Sequence, residues 1–109
     1  MRKAQITFTI TLDDNNLPET IEWKASDSPD CGRCKAIMLS MWDEQEKNTM
    51  RIDLWTKDML VDDMKKFFHQ NIVTMSDTLK RATGEEPMAQ DMRDFGAYFA
   101  EKMKLVDPA

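Results

Sequence analysis

Cys31-Gly32-Arg33-Cys34 is the segment whose residue types and spacing come nearest to a reactive site. Two thiols in a tight turn can hold a metal ion or close a small reversible disulfide. A structural zinc takes four ligands. The chain has two cysteines and one histidine, so zinc within one chain would need carboxylate help. A thioredoxin-like role would place the motif where a strand enters a helix, whereas here it follows a polar loop and precedes a strand. Three readings of Cys31 and Cys34 stay open: incidental thiols, a structural or redox-sensitive disulfide, and a weak metal site, including one shared between subunits.

The remaining chemistry-bearing residues have simpler explanations. His69 follows the apolar Phe68, with Lys65 one turn earlier, a neighbour that would not activate a general base. A ring packed at the edge of the core accounts for it. Asp62-Asp63 and Glu85-Glu86 are adjacent pairs, and adjacent helix residues point in different directions, so they suit helix starts better than acid–base catalysis. There is no glycine-rich phosphate loop, no GxSxG turn and no HExxH, and only three glycines from which catalytic loops could be built. No catalytic residue and no cofactor is expected, and the chain does not read as an enzyme.

Composition narrows the partners. A formal charge of −5 without a local basic cluster disfavours nucleic acid. No run approaches the roughly 20 apolar residues that cross a bilayer, and the start lacks the apolar stretch of a signal peptide, so a cytoplasmic protein without direct membrane insertion is expected. With 109 residues, 41% hydrophobic and 32% charged, the chain suits a single folded domain over residues 1–109, alone or in a small oligomer.

The elements follow from periodicity. Ile6, Phe8, Ile10 and Leu12 alternate with polar residues over 4–12, and Asp13 to Pro18 carries turn chemistry. Ile21, Trp23 and Ala25 then alternate as a returning strand, which completes a hairpin. Ser26 to Arg33 reads as a surface loop. A second hairpin joins Ile37, Leu39 and Met41 to Met50, Ile52 and Leu54 across a charged tip from Asp43 to Asn48.

From about residue 59 the period becomes helical: Val61, Met64, Phe68, Ile72, Met75, Leu79 and Ala82 form one stripe. Asp58 suits the N-cap and Gly84 the stop. Pro87 opens a second helix striped by Met88, Met92, Phe95, Phe99 and Met103. The expected fold is α+β, a four-stranded antiparallel sheet of two hairpins over 4–56, followed by a two-helix hairpin over 57–105 packed on one sheet face.

That arrangement leaves one sheet face uncovered. The second hairpin carries apolar bulk on both faces, and the face with Met38, Trp42 and Trp55 is the candidate protein-interaction surface, with Arg51 and Asp53 as polar partners. It would meet either another protein or a second subunit in a homo-oligomer.

The string Met50-Arg51-Ile52-Asp53-Leu54-Trp55-Thr56-Lys57-Asp58-Met59 strongly resembles the gliding-motility protein GldC family of Bacteroidetes. So do Val61-Asp62-Asp63-Met64-Lys65, Phe67-Phe68-His69-Gln70, Arg81-Ala82-Thr83-Gly84, Met92-Arg93-Asp94-Phe95 and Tyr98-Phe99-Ala100-Glu101-Lys102. The opening hairpin, from Leu12-Asp13 through Pro18-Glu19 to Ile21-Glu22-Trp23, fits as well. Two departures stand out: Cys31 and Cys34 lie outside the familiar pattern, and Leu60 stands where proline is expected, which would let the helix start slightly earlier.

The resemblance implies a small cytoplasmic accessory protein of gliding, with other gliding-motility or secretion proteins as partners, and it brings no catalytic residues. An alternative is a SecB-like chaperone for exported proteins, suggested by four strands followed by a helical hairpin. A redox- or metal-responsive switch through Cys31 and Cys34 is a further one.

Overall fold

In the computed structural model, which describes residues 1–105, the chain runs through five strands and then two helices. It divides into two compact units, Met1–Met59 and a second from Leu60 onward. The first unit holds β1 (Ile6–Leu12), β2 (Pro18–Ala25), β3 (Cys31–Cys34), β4 (Ala36–Trp42) and β5 (Thr49–Trp55). The second holds α1 (Val61–Thr83) and α2 (Glu86–Lys102).

The strands form two antiparallel sheets, β1-β2-β3 and β4-β5, and not the single four-stranded sheet that the alternation suggests. The two expected hairpins are present. The difference lies in Cys31–Cys34, which is a strand on the open edge of β2 and not the end of a loop. Four residues with Gly32 and Arg33 between the cysteines are too few and too mixed for a period of two to show. Pairing Cys34 with Ile21, which is fully buried, nevertheless gives β2 a partner on both sides. Only Lys35 separates β3 from β4, and the chain passes at once into the other sheet. The order of four strands and two helices that suggested a SecB-like chaperone is therefore not the order found.

The turns of the two expected hairpins are each organised by an aspartate. The Asp13 carboxylate accepts the N–H groups of Asn15 at 2.8 Å and Leu17 at 2.9 Å, while Asn16 takes a left-handed φ of 63°. At the second tip the Asp43 carboxylate accepts from Gln45 at 3.2 Å and Glu46 at 2.7 Å, and Lys47 has a φ of 53°. Satisfying loop N–H groups with a side chain is what makes such tight reversals stable in water.

Residues between β5 and the end of the first unit tie the two sheets together through backbone and side-chain groups. Lys57 donates its backbone N–H to the Pro18 carbonyl at 2.9 Å and reaches Asp13 and Glu19 with its ammonium at 3.0 and 3.3 Å. Thr56, almost fully buried, donates its N–H to the Lys35 carbonyl at 2.8 Å and its hydroxyl to Asp58 at 2.7 Å. Lys35 closes the loop with a 2.7 Å ion pair to Asp58. Asp58 is thus occupied within the first unit and does not cap α1, which starts at Val61 with Leu60 extended at φ −76° and ψ 142°. Leu60, where the resemblance leads one to expect proline, stands just before the helix, which does not begin earlier than Val61.

The helices form an antiparallel hairpin, as the sequence suggests, with Gly84 at φ 75° donating its N–H to the Lys80 carbonyl at 2.8 Å. Ion pairs between α1 and α2, Lys80 to Glu86 at 2.9 Å and Asp77 to Arg93 at 3.6 Å, mark the register. The helix-to-helix contact is made by small residues. Ser76, Ala89, Gly96 and Ala100 are buried, and a β-carbon on Gly96 would sit 3.1 Å from a Val73 methyl. Close approach through small side chains leaves Phe68, Met75, Met88 and Phe95 of the two stripes largely exposed, while Ile72 and Phe99 reach into the contact.

Candidate interaction face

On an antiparallel pair, residues directly opposite share a face, so the β4-β5 register decides which side chains belong together. Met38 lies across from Asp53, Ser40 from Arg51, Trp42 from Thr49, and Ala36 from Trp55. All five expected residues, Met38, Trp42, Arg51, Asp53 and Trp55, therefore stand on one face of this ribbon. The other face carries the pairs Ile37 with Leu54, Leu39 with Ile52, and Met41 with Met50.

The five do not form one cluster. Trp55 pairs with Ala36 at one end and Trp42 lies at the other, six positions along β4 or roughly 20 Å away at ~3.3 Å per residue. Between them Arg51 grips Asp53 with two hydrogen bonds, 2.9 Å from Nη2 and 3.4 Å from Nε. The pair is self-neutralising, and Asp53 pushes the Arg51 guanidinium still further toward its charged form. The face is thus electrically quiet, with an indole open to water at each end: Trp42 is 67% exposed and Trp55 55%.

Trp55 has neighbours that periodicity could not supply. With Leu17, Pro18, Asp53, Leu54 and Lys57 it lines a mostly apolar groove of about 400 Å³ beside the first hairpin turn. Leu17 is half exposed in that turn. The one signal in the sequence was an isolated leucine between Asn16 and Pro18, in a segment otherwise made of turn residues. The Lys57 ammonium at the groove rim is held by Asp13 and Glu19, which raise its pKa above the usual lysine range. Asp13 moves the other way, chiefly because the Leu17 N–H stabilises its carboxylate, with Lys57 second.

Cys31 and Cys34 are brought into a strand, which separates them. Cys31 is opposite Lys24 and Cys34 opposite Ile21, so an odd number of steps puts the thiols on opposite sheet faces. Their Cα atoms are roughly 10 Å apart along an extended strand, beyond the ~7 Å that a disulfide spans. Both are free thiols. Cys34 sits beside buried Ile21, and that burial pushes its thiol pKa up. The turn geometry on which a disulfide or shared-metal reading of the pair depended is not present. Among the described residues no three histidine, cysteine or acidic side chains converge as metal ligands. His69 stacks on Phe99 within the helical hairpin, ring centroids 6.4 Å apart and 12° from parallel.

A family model described as gliding motility-associated protein GldC-like matches residues 18–105. The chain belongs to the GldC-like family. The match takes in β2 to β5, both helices, all five residues of the candidate face and the cysteine strand, and it begins beyond β1 and the Leu12-Asp13 step. No curated protein and no solved structure matches the chain. Membership carries an association with gliding motility, and among the described residues no helix is long and apolar enough to cross a membrane.

Proposed function

We propose that the chain is a non-enzymatic, cytoplasmic accessory protein of bacterial gliding, which supports assembly or stability of gliding or secretion components by binding one of them through the β4-β5 face. The observation that carries the reading is the pair of exposed indoles at the ends of a ribbon whose central charges cancel. Tryptophan and arginine are the residues on which binding energy concentrates at interfaces, and an Arg51 already paired with Asp53 keeps that partner when water leaves the face. The groove beside Trp55 adds a concave apolar seat for a partner side chain. Family membership supplies the biological setting.

The test is genetic and biochemical together. Deleting the gene in a gliding bacterium is expected to reduce surface spreading or the level of motor components. The wild-type copy should restore it, whereas a Trp42→Ala/Trp55→Ala copy that accumulates normally should not. Unchanged spreading and component levels after deletion, or full rescue by the double variant, would overturn the proposal.

A further inference from the structure

Within the helical unit the large apolar side chains share one face. The polar side of the hairpin is stitched by Lys80–Glu86 and Asp77–Arg93, and the small residues Ser76, Ala89, Gly96 and Ala100 fill the seam. At 100° per residue the two stripes then fall on the side of the seam away from those ion pairs, and the antiparallel arrangement puts both on the same side. Phe68, Met75, Met88 and Phe95 are 44%, 54%, 56% and 53% exposed there. Ile72, Leu79, Met92 and Phe99 are half-buried among them.

We propose that this face is closed by the same face of a second copy, giving a symmetric four-helix contact in which α2 crosses its copy antiparallel near Phe95. Self-complementarity is the first argument. A two-fold axis demands that a surface match its own reverse, and the α2 stripe nearly does so. About a centre beside Phe95, Met88 meets the copy's Met103 and Met92 meets the copy's Phe99.

Charge gives the second argument, independent of the first. Asp91 and Lys102 lie on the outer edge of the α2 stripe, are exposed, and have no ion-pair partner among the described residues. Reversing the helix about nearly the same centre brings each beside the other in the second copy, so two opposite-charge pairs form at once. Area is the third. A large side chain half open to water offers on the order of 100 Å². The face therefore offers on the order of 600 Å² per copy and roughly 1,200 Å² across the pair, which reaches the range of stable specific interfaces. This self-association is separate from partner binding at the tryptophans, since it lies wholly on the helices.

Sedimentation of the full chain over micromolar concentrations tests it. The expected result is a dimer that Phe95→Glu converts to monomer, with unchanged helical circular dichroism. Because Phe95→Glu also threatens folding, the surface charges give a second reading. Asp91→Lys and Lys102→Asp should each weaken dimerisation about tenfold, and the double variant should restore it. A chain that stays monomeric at 100-fold higher concentration would overturn the proposal. So would a dimer indifferent to all four variants, or one dissolved by Trp42→Ala/Trp55→Ala alone.

Discussion

Cys31 and Cys34 leave β3 on opposite faces, one opposite Lys24 and the other opposite Ile21. The two thiols should therefore behave as strangers. Titration of the native protein with a thiol reagent is expected to show an exposed Cys31 that reacts quickly and a Cys34 that reacts slowly, since burial both shields the second thiol and disfavours its thiolate. Mild oxidation should leave the monomer free of an internal Cys31–Cys34 bridge by mass spectrometry of its peptides. Equal reaction rates, or a bridge that forms without unfolding, would contradict the strand geometry.

Leu60 occupies a backbone position suited to proline, the residue that the family resemblance leads one to expect there. Its φ of −76° is within the range that a pyrrolidine ring imposes, and it directly precedes the first helical residue. Among the described residues its N–H makes no backbone hydrogen bond, and the residue is exposed. Leu60→Pro should accordingly be neutral or stabilising, by up to ~1 kcal/mol, because it restricts the unfolded chain more than the folded one. Denaturant unfolding monitored at the helical circular dichroism band measures this, and a loss of more than ~1 kcal/mol would show that Met59, the residue before the ring, does not tolerate it.

Gly84 presents the opposite case. Its φ of 75° is left-handed, and an added β-carbon would meet nothing within 4 Å, so strain alone sets the outcome. Gly84→Ala is expected to cost about 1 kcal/mol, with a smaller loss for Gly84→Asn, which tolerates that conformation better. Thermal melts of the two variants should preserve that order. Equal melting temperatures for wild type and Gly84→Ala would mean that the α1 terminus rearranges.

The legibility of the chain followed the length of its signals. Ile6 to Leu12 and the two helical stripes are long enough for a period to declare itself, and the structure places them as strand and helices. The four-residue β3 is not, and it pairs with β2 across Gly32, where the Trp23 indole comes within 3.3 Å of the position a β-carbon would take. Asp58 has the right residue type and position for a cap, yet Lys35, 23 positions away, claims its carboxylate first. The candidate face was legible as a set because side-chain alternation is fixed by the strand. Its division into two ends, and the groove that Leu17 and Lys57 build beside Trp55, depend on which strands pair and where the first turn comes to rest.

Acid stability should separate two ways of holding a carboxylate. Asp13 and Asp58 lie below their ordinary value of 3.8, and Glu86 below 4.5, each more acidic folded than unfolded. The unfolded chain then binds more protons as pH falls, so stability from these groups is fully present above their unfolded values and lost as pH drops through the folded ones. The melting temperature should be insensitive to these three groups near neutrality and fall below about pH 4. Their anchors differ, however. Asp58 is held first by the Lys35 ammonium, whereas Asp13 is held first by the Leu17 N–H and only second by Lys57. Lys35→Met should therefore return Asp58 toward its ordinary value, while Lys57→Met leaves much of the Asp13 depression in place. Carboxyl titration by nuclear magnetic resonance reads both directly. An Asp58 unmoved by Lys35→Met, or an Asp13 fully released by Lys57→Met, would reverse the assignment of cause.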